Sequence, residues 1–402
     1  MRKTLNRDSM EHQRHRRYLH PFPARMAPDI AFDSLSQAAP ESVVLDPMSG
    51  SGTVLRQAVE CGLRAVGRDV DPLAVTIARA WTTPVRPDNL REIGAEVLSA
   101  ATVCTALPKS IEEDVETKSF IEYWFAPSQR ESLGSLALAI GKWQGPERDH
   151  LWAAFSRLIV TKDMAASLAR DTAHSRPHRV ALKNDFDVNR EFERSVSEVA
   201  KRLAPESIIR AADVELGDAR NLTSVEDGSV DYIVSSPPYL NAIDYLRGHR
   251  LSLVWMGWTL SMLREIRGSS VGCERGEATA SSSPTILRAV ASTGWYAQLE
   301  ERAQRMINRY VRDLFDVVQE ARRVLRHGGS AIYVIGNSSL RGVYVPNSDI
   351  LAMACEELGL SLSQVTPRAI PESRRYLPLD KAKMGSSLAR RMRSELVMEF
   401  VK

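Results

Sequence analysis

Short apolar runs, each followed by a turn and a helix-like segment, occupy the start of the chain. The run at 42–45 precedes a glycine-containing turn and the helical sequence VLRQAVECG, and the run at 64–69 precedes LAVTIARAW. Short apolar runs bounded by turns are typical of buried strands, and apolar residues at a 3.6-residue period are typical of helices. Residues 1–81 therefore predict one strand–helix–strand–helix half of an open parallel sheet.

The same alternation returns after residue 210. The run at 230–234 predicts a buried strand that stops at Pro237 and Pro238, because consecutive prolines lack amide hydrogens and cannot continue a helix or pair in a sheet. Apolar residues at helical spacing predict a long helix over 296–325 that ends at Gly328 and Gly329. Further strands are predicted at 212–217, 330–337, 360–365 and 395–401, with a helix near 349–358.

These elements predict an α/β fold with a seven-stranded, mostly parallel, Rossmann-like sheet built from residues 1–81 and 211–402. Residues 82–210 form mostly helical patterns, so they predict a large helical insertion before the third strand. Trp124, Trp143 and Trp152 are predicted to lie in its core. Within the part of the chain that forms the sheet, the segment of about 257–295 is rich in Gly and Ser and is predicted to be mobile.

Composition narrows the classes of protein. The 402 residues are 44% apolar and 26% charged, and no apolar run approaches the ~18 residues that span a bilayer. The N-terminus is basic and polar, without the apolar core of a signal peptide, so a cytoplasmic protein is expected. Four scattered cysteines form no CxxC pair and none follows a proline, which argues against a zinc ribbon, a disulfide scaffold and a Pro-Cys nucleophile.

Positive charge is concentrated near the two ends of the chain. The net charge is only +3, but seven Lys and Arg residues lie between 1 and 25 and eight lie between 368 and 393. Solvated surface charge explains either cluster alone. Two clusters flanking one core also suit a surface that binds the phosphates of a nucleic acid.

The turn after the first strand has the composition of a ligand-binding loop. It reads Asp46-Pro47-Met48-Ser49-Gly50-Ser51-Gly52-Thr53, and its glycines allow the backbone to approach a ligand closely. No Lys follows the glycines, so a triphosphate-binding loop is excluded, and the GxGxxG pattern is incomplete. Asp69 ends the second strand about 20 residues later, where an acid can bind the two ribose hydroxyls of a nucleoside. Asp71 precedes Pro72 and better fits a helix cap.

The turn after the 230–234 strand suits transfer of a group to an amino nitrogen. Ser236 Oγ and the carbonyl of Pro237 can accept the two hydrogens of a planar amino group, which frees the nitrogen lone pair. Tyr239 can stack on a base that has been swung out of a duplex. This chemistry needs neither a metal nor a covalent intermediate.

Both turns together resemble the DNA amino-methyltransferases. Ser236-Pro237-Pro238-Tyr239 is similar to their (Ser/Asp/Asn)-Pro-Pro-aromatic motif, and Asp46 to Thr53 matches seven of eight positions of DPFxGSGT, with Met48 replacing the aromatic residue. The resemblance implies an enzyme that uses S-adenosylmethionine and methylates a flipped base in DNA. Ser in the first motif position is commonest in the cytosine-N4 enzymes, whereas Asp is more usual in the adenine-N6 enzymes.

The resemblance also implies positions for the cofactor. The catalytic residues would be Ser236, Pro237, Pro238 and Tyr239. The cofactor would be held by His20 and Phe22 of a His-Pro segment, by Asp46, Met48, Ser49, Gly50, Gly52 and Thr53 of the glycine loop, by Asp69 at the ribose and by Asp218 at the adenine amino group. The His-Pro segment has an alternative interpretation as a plain N-terminal strap.

Several DNA contacts remain open at this stage. Candidates for the flipped base or the phosphates are Asn241, Asp244, Tyr245, Arg247, Arg374, Arg375 and Lys381, although the first four could equally hold their loop in shape. The helical insertion is either the target-recognition region or a buttress for the sheet. The residues leave open two alternatives, an RNA substrate and a catalytically silent binding module. They also leave open a partner restriction endonuclease.

Overall fold

A computed structural model describes residues 18–22, 26–102, 107–161, 164–170, 177–180, 184–203, 206, 208, 210–240, 244–272, 283–370 and 394–402. The strands within these residues are β1 Val43–Asp46, β2 Arg64–Asp69, β3 Ala169–Arg170, β4 His178–Arg179, β5 Asp213–Leu216, β6 Val230–Ser235, β7 Leu325–Ile335, β8 Ser338–Leu340, β9 Val343–Val345, β10 Ser361–Ala369 and β11 Ser394–Val401.

Seven of these strands form the central sheet, in the order β10-β11-β7-β6-β1-β2-β5. Neighbouring strands run parallel except for β11, which is antiparallel to both β7 and β10. The predicted fold class, a seven-stranded and mostly parallel Rossmann-like sheet, is confirmed. Each of the seven predicted strands is present, within a few residues of its predicted bounds.

The helices lie on both faces of the sheet and in the insertion. They are α1 Pro28–Leu35, α2 Thr53–Glu60, α3 Pro72–Thr82, α4 Pro87–Thr102, α5 Lys109–Glu113, α6 Val115–Trp124, α7 Pro127–Lys142, α8 Arg148–Ile159, α9 Val188–Ala200, α10 Leu246–Leu253, α11 Leu260–Ser269, α12 Pro284–Ala291, α13 Gly294–Ala297, α14 Glu301–Val324 and α15 Asn347–Glu357. Among the described residues, no helix combines the length and the apolar character needed to cross a bilayer.

The centre of the sheet is the strand that precedes the glycine loop. Val44 and Leu45 of β1 are fully buried, and β1 is paired with β2 on one side and with β6 on the other. Because parallel neighbours end at the same edge, the segments that follow β1, β2 and β6 all begin at the carboxyl edge of the sheet. Sequence positions separated by almost two hundred residues are thereby brought together.

The helical insertion shares its core with the sheet domain. Trp124 and Trp152 are 8% and 6% exposed, Trp143 packs against them more openly, and the same apolar cluster continues through Trp81 of α3 and Trp255 beyond α10. The predicted placement in a core is confirmed for Trp124 and Trp152, whereas Trp143 is only partly buried and packs against that core. The insertion is therefore packed as part of the molecule and not as an appended lobe.

Several predicted boundaries differ from the structure. The long helix begins at Glu301 and not at 296, because Gly294–Ala297 is a separate short helix. The helix predicted to stop at a glycine cap instead ends at Val324, and β7 starts at once with Leu325. Gly328 lies inside β7 with φ +74°, where the register between β6 and β7 shifts, so this glycine permits a β-bulge and does not cap the helix. The hairpin strands β3–β4 and β8–β9 were not predicted, because strands of two or three residues leave little apolar pattern.

The segment of 257–295 contains two helices in its described parts, α11 and α12, while 273–282 lies outside the described residues. Its predicted mobility stays a prediction. Of the two basic clusters, residues 1–17, 23–25 and 371–393 also lie outside the described residues. Arg368 at the edge of the second cluster pairs with Glu395 and with Asp29.

Candidate active site

A buried hydrogen bond joins the two loops that the sequence singled out. The hydroxyl of Ser235, the last residue of β6, donates to Oδ1 of Asp46, the last residue of β1, over 2.7 Å. Ser235 is fully buried and Asp46 is 3% exposed. The glycine loop and the Pro-Pro turn therefore start from adjacent strand ends at one edge of the sheet.

The glycine loop needs both of its glycines for steric reasons. Gly52 precedes α2 with φ +82°, and a β-carbon there would lie 2.9 Å from Cβ of Ala78 on α3. Gly50 has φ +50°, and a β-carbon there would lie 3.6 Å from the ring of Phe22. L residues with side chains rarely adopt this left-handed conformation. The loop backbone consequently packs directly against Ala78 and Phe22.

Asp69 holds the glycine loop from the neighbouring strand. Its Oδ2 accepts the amide hydrogen of Gly50 over 2.7 Å, and its Oδ1 accepts that of Asp71 over 2.9 Å. Desolvation raises the pKa of Asp69 to about 6, and the carboxylate of Asp71 acts in the same direction. Asp71 caps α3 through the Leu73 amide, as the sequence predicted. Asp69 is thus the acid that touches the loop.

The floor of the loop carries buried polar groups. Burial raises the pKa of Asp46 to about 7, although the hydrogen bonds from Ser235 and from the Met48 amide oppose the shift. The hydroxyls of Ser49 and Ser51 are buried and have no hydrogen-bond partner among the described residues. A buried polar atom without a partner is costly, so these hydroxyls mark a place where a polar ligand fits. Met48 is partly exposed, whereas Thr53 is buried at the start of α2.

The Pro-Pro turn is fixed by contacts with β7. Ser236 Oγ donates to the carbonyl of Val334 over 3.0 Å and also forms a hydrogen bond with the side chain of Tyr239, which leaves one lone pair of the serine oxygen available as an acceptor. Pro237 is buried and Pro238 is partly exposed. The ring of Tyr239 lies against Gly336, where a β-carbon would stand 2.9 Å from the ring, and burial raises the pKa of this tyrosine. Both side chains are therefore held in place by the next strand of the sheet.

The His-Pro segment reaches the site through its phenylalanine. Phe22 is buried beside Gly50, and its ring centroid lies 4.9 Å from that of His249 and 6.3 Å from that of Tyr245. His20 is also buried, but its Nε2 lies 2.8 Å from Ser156 Oγ on α8 of the insertion. Phe22 forms a wall beside the glycine loop, and His20 fastens the segment to the insertion.

Sequence reasoning missed a second link between the two halves of the site. Nδ1 of His249, on α10 after the Pro-Pro turn, donates a hydrogen bond to Oδ2 of Asp71, and both side chains are buried. The two residues are 178 positions apart, so no local pattern signals the pair. Only the pairing of β1 with both β2 and β6 brings them together.

Asp218 follows β5 at the same edge, but its carboxylate is already engaged. Arg220 donates to Asp218 from Nε over 3.0 Å and from Nη2 over 2.6 Å, and to Asp313 of α14 from Nη1 over 2.7 Å. Gly217 is tied to β2 through a hydrogen bond from its amide to the Asp69 carbonyl. The acid is thus positioned at the sheet edge by an arginine that the sequence analysis did not single out.

The candidate DNA contacts are only partly described. Asp244 accepts hydrogen bonds from Arg247, one turn on, and from Arg267 of α11. Tyr245 stacks near Phe22 and His249. The candidates Asp244, Tyr245 and Arg247 therefore lie beside the glycine loop and the Pro-Pro turn. The remaining candidates, Asn241, Arg374, Arg375 and Lys381, lie outside the described residues.

The sheet and its edge define the class of protein: a Rossmann-like α/β protein with one antiparallel strand, whose candidate site lies at the carboxyl ends of parallel strands.

Known proteins similar to this chain include methyltransferases by name. Over 394 residues it is 21% identical to the Type II methyltransferase M.MvaI of Kocuria varians, covering 88% of this chain and 84% of that protein. It is 20% identical over 267 residues to the Type II methyltransferase M.BsoBI of Geobacillus stearothermophilus, covering 57% of this chain and 50% of that protein. A solved TehB-like S-adenosylmethionine-dependent methyltransferase from Corynebacterium glutamicum is similar with a TM-score of 0.30 and 12% identity, covering 93% of this chain and 86% of that one. No protein-family model matches the chain.

Proposed function

We propose that this protein is a DNA methyltransferase that transfers a methyl group from S-adenosylmethionine to the exocyclic N4 amino group of cytosine. The observation that carries the proposal is the hydrogen bond between Ser235 and Asp46, because it fixes the glycine loop beside the Pro-Pro turn. The similarity to Type II methyltransferases over most of the chain supports the same reaction class.

The residues of the glycine loop fit the cofactor. Gly50 and Gly52 allow the loop backbone to pack closely against Phe22 and Ala78, and the buried hydroxyls of Ser49 and Ser51 supply polar atoms that have no partner among the described residues. Phe22 packs beside Gly50 and would cover the ligand from the side. When bound, the cofactor supplies an electrophilic methyl group on its sulfonium. The N-terminus of α2, just after the loop, would present amide hydrogens to the carboxylate of the cofactor.

Two acids would orient the nucleoside end of the cofactor. Asp69 uses one lone pair of each oxygen for a backbone amide and keeps another for ribose hydroxyls. Asp218 is oriented by Arg220 and can accept from an adenine amino group with its remaining lone pairs. His20 would act one step removed, by holding the segment that carries Phe22.

The Pro-Pro turn would hold the acceptor amine. Ser236 Oγ gives its own hydrogen to Val334 and so offers the base an acceptor, and the carbonyl of Pro237 offers a second. Two acceptors on the amino hydrogens draw the nitrogen lone pair out of conjugation and aim it at the methyl donor. Tyr239 would flank the flipped base. Catalysis by positioning and by these hydrogen bonds requires no metal.

The choice of cytosine N4 depends on Ser236 in the first position of the motif. Adenine N6 is the runner-up target. An RNA substrate and a catalytically silent binding module are further alternatives. The similarity to two proteins named as Type II methyltransferases favours an active enzyme that acts on DNA. Work alongside a cognate restriction endonuclease is consistent with those names. The insertion at 82–210 would contribute to target recognition.

Analysis of the methylated product tests the proposal. The protein is incubated with tritiated S-adenosylmethionine and, separately, with unmethylated genomic DNA and total RNA, and the nucleosides are then separated. We expect label in N4-methylcytosine from DNA. Label in N6-methyladenine would move the target to adenine, label only in RNA would change the substrate, and no label in any nucleoside would refute the enzymatic function.

A further inference from the structure

Three arginines cluster around one carboxylate just beyond the Pro-Pro turn. Asp244 accepts from Nε of Arg247 over 3.1 Å and from Nε of Arg267. Arg250, on the next turn of α10, lies close enough for the charges of Arg267 and Arg247 to lower its pKa, after the larger effect of burial. One acid balances three guanidinium groups, so the cluster keeps an excess of positive charge.

The cluster continues onto the insertion as a strip of alternating aromatic and basic side chains. Glu116, Phe120 and Tyr123 lie on one face of α6, at spacings of four and three residues. Each meets an arginine from a different element: Arg264 of α11 bonds Glu116, Arg250 of α10 lies 5.0 Å over the ring of Phe120, and Arg179 of β4 lies 5.0 Å over the ring of Tyr123.

The outer members of this strip face solvent. Tyr123 is 52% exposed, and the side chains of Arg264 and Arg267 are 59% and 45% exposed. Nε of Arg250 is buried without a hydrogen-bond partner among the described residues. Exposed arginines interleaved with aromatic rings are the combination that binds the phosphates and bases of nucleic acids.

The strip begins next to the proposed active site. His249, the neighbour of Arg250, is bonded to Asp71 at the carboxyl edge of the sheet. Asp244 follows Tyr239 by five residues, so the chain places the cluster within ~18 Å of the turn. At 3.4 Å of duplex per base pair, that reach corresponds to about five base pairs.

We propose that Arg247, Arg250 and Arg267 bind backbone phosphates of the DNA beside the target base, and that Arg179 and Tyr123 extend this surface along the insertion. The inference rests on the proposed function and deepens it, since it assigns the insertion a DNA-facing side. Arg247, Arg250, Arg267 and Arg179 carry the binding energy, and Asp244 keeps the guanidinium groups of Arg247 and Arg267 oriented.

Salt dependence of DNA binding tests the proposal. Binding of a fluorescent 20-base-pair duplex is measured between low and moderate salt for the wild type and for Arg267→Gln, Arg250→Gln and Arg179→Gln. Each lost phosphate contact should reduce the slope of log K against log salt by about 0.9 and weaken binding about tenfold near 0.1 M salt. Arg305→Gln, an exposed arginine paired within α14 to Glu301, is the matched control and should leave the slope unchanged.

Two further measurements separate binding from a purely structural role. Arg267→Lys keeps the charge and should restore most of the salt slope that Arg267→Gln loses. A defect caused only by the lost ion-pair geometry with Asp244 would persist in Arg267→Lys. In methyl transfer, the Gln variants should raise KM for DNA and leave kcat at saturating DNA unchanged. Folded Gln variants with wild-type slope and affinity would overturn this inference. A wild type that neither binds nor methylates DNA would instead overturn the proposed function.

Discussion

Ser235 and Asp46 lie 189 residues apart, and the hydroxyl of the first donates a 2.7 Å hydrogen bond to the carboxylate of the second. Neither residue belongs to the four-residue turn that would hold the base. Their bond nevertheless joins the strand ends from which the glycine loop and the Pro-Pro turn begin. Loss of this bond should therefore affect both stability and turnover.

Ser235→Ala tests that link. The substitution leaves Asp46 Oδ1 with only the Met48 amide as a partner, and a buried acceptor that loses one partner costs about 1–3 kcal/mol. We expect a lower urea midpoint and a lower kcat. Ser229→Ala, the same change at an exposed serine just before β6, should alter neither. Wild-type turnover in Ser235→Ala would show that catalysis does not need the hydrogen bond between Ser235 and Asp46.

Ser236→Ala tests the chemical step. The variant lacks one proposed acceptor for the amino hydrogens, and removal of one such group typically costs about 10²–10³ in kcat. Affinity for S-adenosylmethionine, measured by calorimetry, should be retained because the glycine loop is unchanged. Methyl transfer at the wild-type rate would show that the serine is not the acceptor.

His249→Ala tests the second link, between α10 and the start of α3. Asp71 loses a charge-assisted donor, and Phe22 loses the ring that packs 4.9 Å from its own, so KM for S-adenosylmethionine should rise about tenfold. His249→Asn retains an N–H donor at the position of Nδ1 and should recover most of the affinity. Equal defects in both variants would indicate that the ring, and not the hydrogen bond, shapes the site.

Gly52→Ala tests the backbone of the glycine loop. An alanine at φ +82°, with Cβ 2.9 Å from that of Ala78, should cost about 2–4 kcal/mol in the free energy of unfolding and should weaken cofactor binding. Gly141→Ala is the matched control, since it lies in α7 with nothing within 4 Å of the added carbon. That change should be neutral or slightly stabilising. The comparison is made by urea unfolding at one pH.

The buried Asp46 should make stability depend on pH. Its pKa is raised from 3.8 in the unfolded chain to about 7 in the folded protein, so the folded state binds the proton more tightly. The stabilisation from this group is complete below pH 3.8 and is lost as the pH rises to about 7. Asp46→Asn retains an oxygen acceptor without titrating. The difference in free energy of unfolding, wild type minus variant, should fall across this window and become constant above it.

Local sequence was sufficient for the parallel sheet, the glycine loop and the Pro-Pro turn, because each depends on apolar runs, on φ restrictions and on residues without amide hydrogens. It was sufficient for the helix cap at Asp71 as well, since this residue precedes Pro72. The binding of ribose hydroxyls by Asp69 stays a prediction. Local sequence could not predict long-range pairs such as His249 with Asp71. Their signal lies in the strand order, which no short segment encodes.

Residues with two possible roles also limited the sequence analysis. Gly328 looked like a helix cap, but the register shift between β6 and β7 uses its positive φ inside a strand. Asp218 was identifiable by its place after a strand, whereas Arg220, which orients it, required the position of Asp313 on α14. The arginines around Asp244 are ordinary charged positions until α6 of the insertion is placed against them.

The long separation between β1 and β6 has a consequence for biosynthesis. At about 5–20 residues per second, a ribosome completes Ser235 some ~10–40 s after Asp46. Throughout that interval the first half-sheet lacks its central neighbour β6, while the insertion, whose apolar residues share a core with α3 in the folded protein, is being synthesised. The site at the carboxyl edge of the sheet can therefore form only late in translation, after β6 has been synthesised and has paired with β1.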